Sequence, residues 1–177
     1  MHLFWKHLGI SLLWLLLSEI LCLVLAVSVA ILRASVLTNA AGLICGMTAH
    51  ILLIGSCAAK IAQADAAAYQ KSGIRTASIK PLLISVLLTV PSYLTYLILL
   101  VNADSVLWLN LFPLLNAPFI QIYRVLINGT EPFSAIAQTR RMLMLLPPLL
   151  TGISFFAGYY FRYLPQTAKA DAIRSRK

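Results

Sequence analysis

Apolar residues along this chain gather into five long runs, parted by short polar connectors. The first covers residues 8–32 and contains a single ionisable side chain, Glu19. The second, residues 40–62, holds only His50 and a terminal Lys60. Residues 82–101 carry no charge, while residues 106–123 are interrupted by Asn110, Pro113, Asn116, Pro118 and Gln121. The fifth run, residues 142–161, is uncharged but contains Pro147-Pro148, Gly152 and Gly158. About 20 helical residues cross a bilayer core, so every run is near the required length. A segment in hydrocarbon must satisfy its own backbone N–H and C=O groups, which predicts helices rather than strands. The first run is far longer than the roughly 7–15 apolar residues of a secretory signal, and reads as an anchor that stays in place.

Composition excludes the soluble alternative. Of 177 residues, 60% are hydrophobic and 11% charged, with a mean hydropathy of +0.88. Soluble domains carry about a quarter charged residues, so this chain has too little polar surface to wrap a soluble core. The expected fold is all-α: a polytopic helical membrane bundle of about four crossings, forming one domain over residues 1–177.

Charge then bears on topology, because Lys and Arg in short loops are retained in the cytoplasm. If all five runs cross, the 14 basic residues divide almost evenly between the two faces. If residues 142–161 enter and return, only Arg33 is left on the outer face. If residues 106–123 are the run that fails to cross, Arg124, Arg140 and Arg141 join Arg33 there. Hydropathy favours residues 106–123 as the exception. The charge split and Pro147-Pro148 favour residues 142–161, and the expectation leans that way, toward a re-entrant or interfacial hairpin. Either solution puts both termini and the 63–81 loop in the cytoplasm of a multi-pass cell-membrane protein.

Local patterns add detail. "AAKIAQADAAAYQK" is rich in the strongest helix former, so the second helix should run beyond the membrane and stop at Gly73, a residue suited to ending helices. Lys60 would snorkel to the headgroups, and Lys71 would sit in the last turn, where the helix dipole favours a cation. In the 124–141 connector, Pro132 should open a short amphipathic helix with Phe133, Ile136 and Ala137 on one side. Gly42 and Gly46 form G-x-x-x-G, and Gly55 with Ala59 repeats the spacing. Such faces let helices approach closely in lipid, either as a homodimer seam or against the protein's own neighbouring runs. His50 lies four residues beyond Gly46.

Candidate chemistry is sparse. Glu19 and His50 fall at similar depth in consecutive antiparallel runs, and intramembrane ionisable groups are functional candidates. They form either a proton or ion relay, or a structural polar pair, or two residues bonded to Ser and Thr hydroxyls. No nucleophile-elbow, zinc-protease or phosphate-loop pattern occurs. Cys22, Cys45 and Cys57 lie within apolar runs without metal-ligand spacing. Neither an enzyme, nor a cofactor, nor a metal site is expected. The Asn128-Gly-Thr130 glycosylation pattern is too common to weigh.

What remains is an excess of positive charge, +9 overall with a pI near 9.8. Anionic headgroups attract such residues at roughly 1 kcal/mol each, and nucleic-acid phosphates attract them with strong salt dependence. The candidate anion contacts are Lys71, Arg75 and Lys80 in residues 63–81, and Arg140 and Arg141 in the 124–141 connector. Arg174, Arg176 and Lys177 in the basic tail, residues 162–177, complete the set.

The stretches "AAKIAQADAAAYQKSGIR", "QTRRMLMLLPPLL" and "TAKADAIRSRK", on a small basic four-span architecture, resemble the bacterial OLE RNA-associated protein A family. That resemblance implies a dimer holding a structured noncoding RNA at the membrane as a ribonucleoprotein. With few aromatics in the expected cytoplasmic parts, RNA would be gripped through phosphate and shape. Two other functions stay open: a small transporter or transport-complex subunit using Glu19 and His50, and a structural or lipid-binding membrane protein.

Overall fold

A computed structural model describes residues 2–31, 36–73, 79–127 and 132–175. Arg75, Arg176, Lys177 and the 128–130 pattern lie outside the described residues, as does the side chain of Arg174. All regular structure described is helical: α1 (His2–Ile31), α2 (Val36–Ser72), α3 (Ile79–Val101), α4 (Val106–Leu114), α5 (Ile120–Ile127), α6 (Gln138–Leu143) and α7 (Pro147–Arg174). Short 3-10 turns occupy Ala117–Phe119 and Phe133–Ala135. Among the described residues, four helices are long and apolar enough to cross a bilayer, as in a multi-pass membrane protein. Large apolar side chains such as Leu13, Leu52, Leu97 and Phe161 face outward, as they must where the surroundings are lipid.

The long helices follow the apolar runs closely. As expected, α2 continues past the hydrocarbon and ends at Gly73, which takes φ 74° while its N–H reaches back to the Tyr69 carbonyl at 2.8 Å. Only glycine enters that left-handed region without a Cβ penalty. The fifth run exceeds its expected end. The residues read as a basic tail continue α7 to Arg174.

The contacts of α7 set its direction. The segment leading into it meets the far half of α3, where Tyr93 donates to the Leu145 carbonyl and Tyr96 to that of Arg141, and Gly152 of α7 then packs against Ser85 and Thr89. Further along, Thr151 meets His50, Tyr159 meets Asp65 and Asp171 meets Tyr69. Thus α7 runs antiparallel to α3 and parallel to α2, crossing the whole bundle. Its Tyr159–Tyr163 region shares a core cluster with Leu8 near the start of α1, so α7 ends on the side of the bundle where α1 begins.

The run that does not cross is residues 106–123, which corrects the expectation that residues 142–161 would be re-entrant. The chain enters as α4, unwinds at Leu115 and Asn116, and continues through the 3-10 turn into α5 with a 94° bend. It then returns to the end it left. Ser134 donates through its N–H to the Ala103 carbonyl and through its hydroxyl to Asp104. Pro113 and Pro118 prevent one continuous helix, and the non-helical backbone at this depth is covered by protein. Phe112, Phe119, Tyr123 and Met144 pack around it. By contrast, Pro147 and Pro148 occupy the start of α7, where missing N–H groups cost nothing.

The expected amphipathic helix after Pro132 is broken. Phe133–Ala135 form a 3-10 turn, Ile136 and Ala137 are extended, and only Gln138–Leu143 are α-helical. Phe133 and Ile136 are buried but Ala137 is exposed.

Candidate functional site

The end of the bundle where α1 begins, α2 ends, α3 begins and α7 ends carries a buried polar cluster beneath an exposed basic surface. Asp65 of α2 lies at its centre, 1% exposed. Lys80 Nζ donates to both of its oxygens, at 2.8 Å to Oδ1 and 2.7 Å to Oδ2. The Tyr159 hydroxyl donates to Oδ2 at 2.8 Å, and His7 Nδ1 stands 4.0 Å from Oδ1. A buried carboxylate survives only where a counter-charge and hydrogen bonds replace water, and here Lys80 of α3 supplies the charge and two bonds while Tyr159 of α7 adds a third.

This arrangement corrects the reading of Lys80, which was expected to meet an external anion. Lys80 is buried, and its charge is neutralised by Asp65. Its place in the first turn of α3 opposes the helix dipole, so the carboxylate also offsets that penalty. Sequence reasoning passed over Asp65, although a signal was present. Ala58, Ala62, Asp65, Ala66 and Tyr69 recur at helical spacing and are all buried, so Asp65 belongs to an inward stripe.

Beyond Asp65, α2 and α7 pair as a two-helix stalk. Ala66 and Tyr69 on one helix, with Tyr163, Thr167 and Ala170 on the other, form the buried seam, and the Tyr69 hydroxyl donates to Asp171. Lys71, Arg162 and Lys169 are exposed on its outside, as is Lys6 at the start of α1. With the Gln63 amide turned so that its oxygen faces the guanidinium, Arg162 donates to it through Nε and one Nη at 2.9 and 3.0 Å. Lys60 lies over the Trp14 ring, 4.8 Å from its centroid.

The remaining candidate cations are elsewhere. Arg140 and Arg141 belong to α6, which adjoins the far half of α3. They are therefore at the opposite end from Lys71. Arg141 is half-buried over the Phe133 ring. One continuous surface holding Lys71 with Arg140 and Arg141 does not exist.

At mid-bundle, Glu19 and His50 do not bond to each other. His50 is fully buried, with Nδ1 2.7 Å from the Ser18 hydroxyl and Nε2 2.8 Å from that of Thr151. This is the hydroxyl-bonded alternative for His50 alone. The ring ties α1, α2 and α7 together. Glu19 Oε2 accepts the Ala117 N–H at 2.9 Å, which anchors the re-entrant tip to α1.

Gly42 and Gly46 pack within the chain. A Cβ at Gly42 would stand 3.1 Å from Val29 of α1, and at Gly46 the nearest atom is the Pro118 carbonyl oxygen, at 3.8 Å. Cys22 Sγ also reaches the Gly46 carbonyl at 3.3 Å. Of the two readings of this face, the structure shows packing against the protein's own neighbouring segments. Among the described glycines the tightest approach is between Gly55 and Gly158, where a Cβ on Gly158 would fall 2.6 Å from the Gly55 oxygen.

No family model, no curated protein and no solved structure matches this chain.

Proposed function

We propose that this protein is a membrane anchor whose basic stalk docks a polyanion, with structured RNA as the ligand class that fits best. The reading rests on one observation. Lys71 lies eleven positions beyond Lys60 on the same unbroken helix, or about 16 Å along its axis. Headgroup potentials decay over roughly 8 Å at physiological ionic strength. Cations held that far out gain little from lipid, but suit a polyanion standing off the membrane. The positive-inside rule and the cations Lys6, Lys60, Lys71, Arg162 and Lys169 at this end favour placing it in the cytoplasm.

The test is purification in mild detergent followed by nucleic-acid extraction. The reading expects nuclease-sensitive RNA with the wild type, lost when Lys71 and Lys169 are changed to Gln. A wild-type sample free of RNA from cells that express the protein natively would refute it.

The transporter alternative draws on a different observation, the unwound tip held by Glu19 at Ala117. Broken helices at this depth serve as ion and substrate sites in transporters. Proton-coupled solute flux in proteoliposomes, abolished by Glu19→Gln, would establish it in place of the anchor.

A further inference from the structure

A groove opens on the lipid-facing side of the α2–α7 crossing, with a volume of about 420 Å³. Its floor is made of small residues, Gly55, Ser56 and Ala59 from α2 and Ala157 and Gly158 from α7, and Ile51, Leu52 and Phe161 form its apolar walls. The two glycines bring the helix backbones together, so no side chain fills the trough they leave. It spans nine residues on each helix, Ile51 to Ala59 and Ser154 to Arg162, or about 12 Å of helix rise. Volumes of roughly 300–1,000 Å³ are typical of small-molecule sites.

One end of the groove is charged. Arg162 closes it toward the stalk, while the other end, near Ile51 and Ser154, lies at the level of His50 and Thr151 in mid-bundle. Gln63 takes two guanidinium donors and thereby orients the group. As a neutral partner it leaves the charge in place, and among the described residues no carboxylate pairs with Arg162. Three of the five guanidinium N–H donors remain for an anion. Lys60, at a similar level, is engaged instead with Trp14 on the α1 side.

We propose that this groove is a binding site for one anionic glycerophospholipid. Its phosphate bonds to Arg162, and one acyl chain lies along Ser56, Ala59 and Ala157 toward the bilayer centre. The direction is that of a lipid in the leaflet on the stalk side, with headgroup at the cation and tail inward. The proposal is independent of RNA docking, because it uses Arg162 and the groove rather than Lys71 and Lys169.

Native mass spectrometry of the detergent-solubilised full chain tests it, with phosphatidylglycerol and phosphatidylcholine supplied separately. The wild type should retain phosphatidylglycerol about fivefold better, the preference one surface cation supplies. Arg162→Gln should abolish that preference and Arg162→Lys should keep it. Ser56→Leu with Ala157→Leu fills the trough from its exposed side and should reduce retention of both lipids. Equal retention of the two lipids by wild type, or an unchanged preference in Arg162→Gln, would overturn the proposal. So would a wild-type dimer that the filling variant converts to monomer with lipid retention unaffected, since a second copy would then occupy the groove.

Discussion

Asp65 and Lys80 form a bidentate ion pair, 2.7 and 2.8 Å long, that closes the end of α2 onto the first turn of α3. The lysine that reads in sequence as the last cation of a basic loop is spent inside the bundle.

Removing either partner strands the other charge without water. Lys80→Gln or Asp65→Ala should therefore destabilise the protein by about 3–5 kcal/mol. The double variant Asp65→Leu with Lys80→Met should recover most of that loss. Lys71→Gln, on the exposed stalk, should stay within about 0.5 kcal/mol of wild type. Thermal unfolding in one detergent compares all four. Equal stability of the Lys80 and Lys71 variants would remove the structural role of the pair.

The re-entrant 106–123 segment fixes which connectors share a face of the membrane. In a cysteine-free background, single cysteines at Ser72 and Ser175 should resist an impermeant thiol reagent in intact cells. A cysteine at Thr139, beside Arg140 on α6, should react. Protection at all three positions would place α6 in the cytoplasm and return residues 142–161 to a re-entrant hairpin.

The Gly55–Gly158 contact predicts steric intolerance. Gly158→Ala puts a methyl group against backbone that cannot move aside, at a cost of about 1–3 kcal/mol. At Gly9 a Cβ meets nothing within 4 Å, so Gly9→Ala should be neutral, or stabilise by up to about 1 kcal/mol through helix propensity. Thermal stability of the two variants, side by side, decides it.

If the stalk binds RNA, each lost phosphate contact should flatten the plot of log affinity against log salt by about 0.7–0.9 units. Lys71→Gln with Lys169→Gln should reduce the slope by roughly 1.4–1.8. Arg140→Gln with Arg141→Gln, at the other end of the bundle, should leave it unchanged. A slope that responds to the α6 pair and not to the stalk pair would locate the ligand on the opposite face.

The sequence by itself determined the class, the number of long apolar helices and several of their ends. An apolar run of twenty residues has few alternatives in lipid, and Gly73 stops α2 through a property of its own backbone. Which run fails to cross was decided by tertiary structure. Hydropathy and charge gave opposite answers, and the outcome followed from where Ser134 and Tyr96 find their partners. The same holds for the candidate site. Charge counting treats Lys80, Arg140 and Lys71 alike, since a sequence records formal charge but not the neighbour that neutralises it. Only the folded chain brings Asp65 to Lys80 from fifteen positions away. Only the fold carries Arg140 to the far end of the bundle and presses Gly158 onto Gly55, because contacts between helices depend on directions and depths that local pattern does not contain.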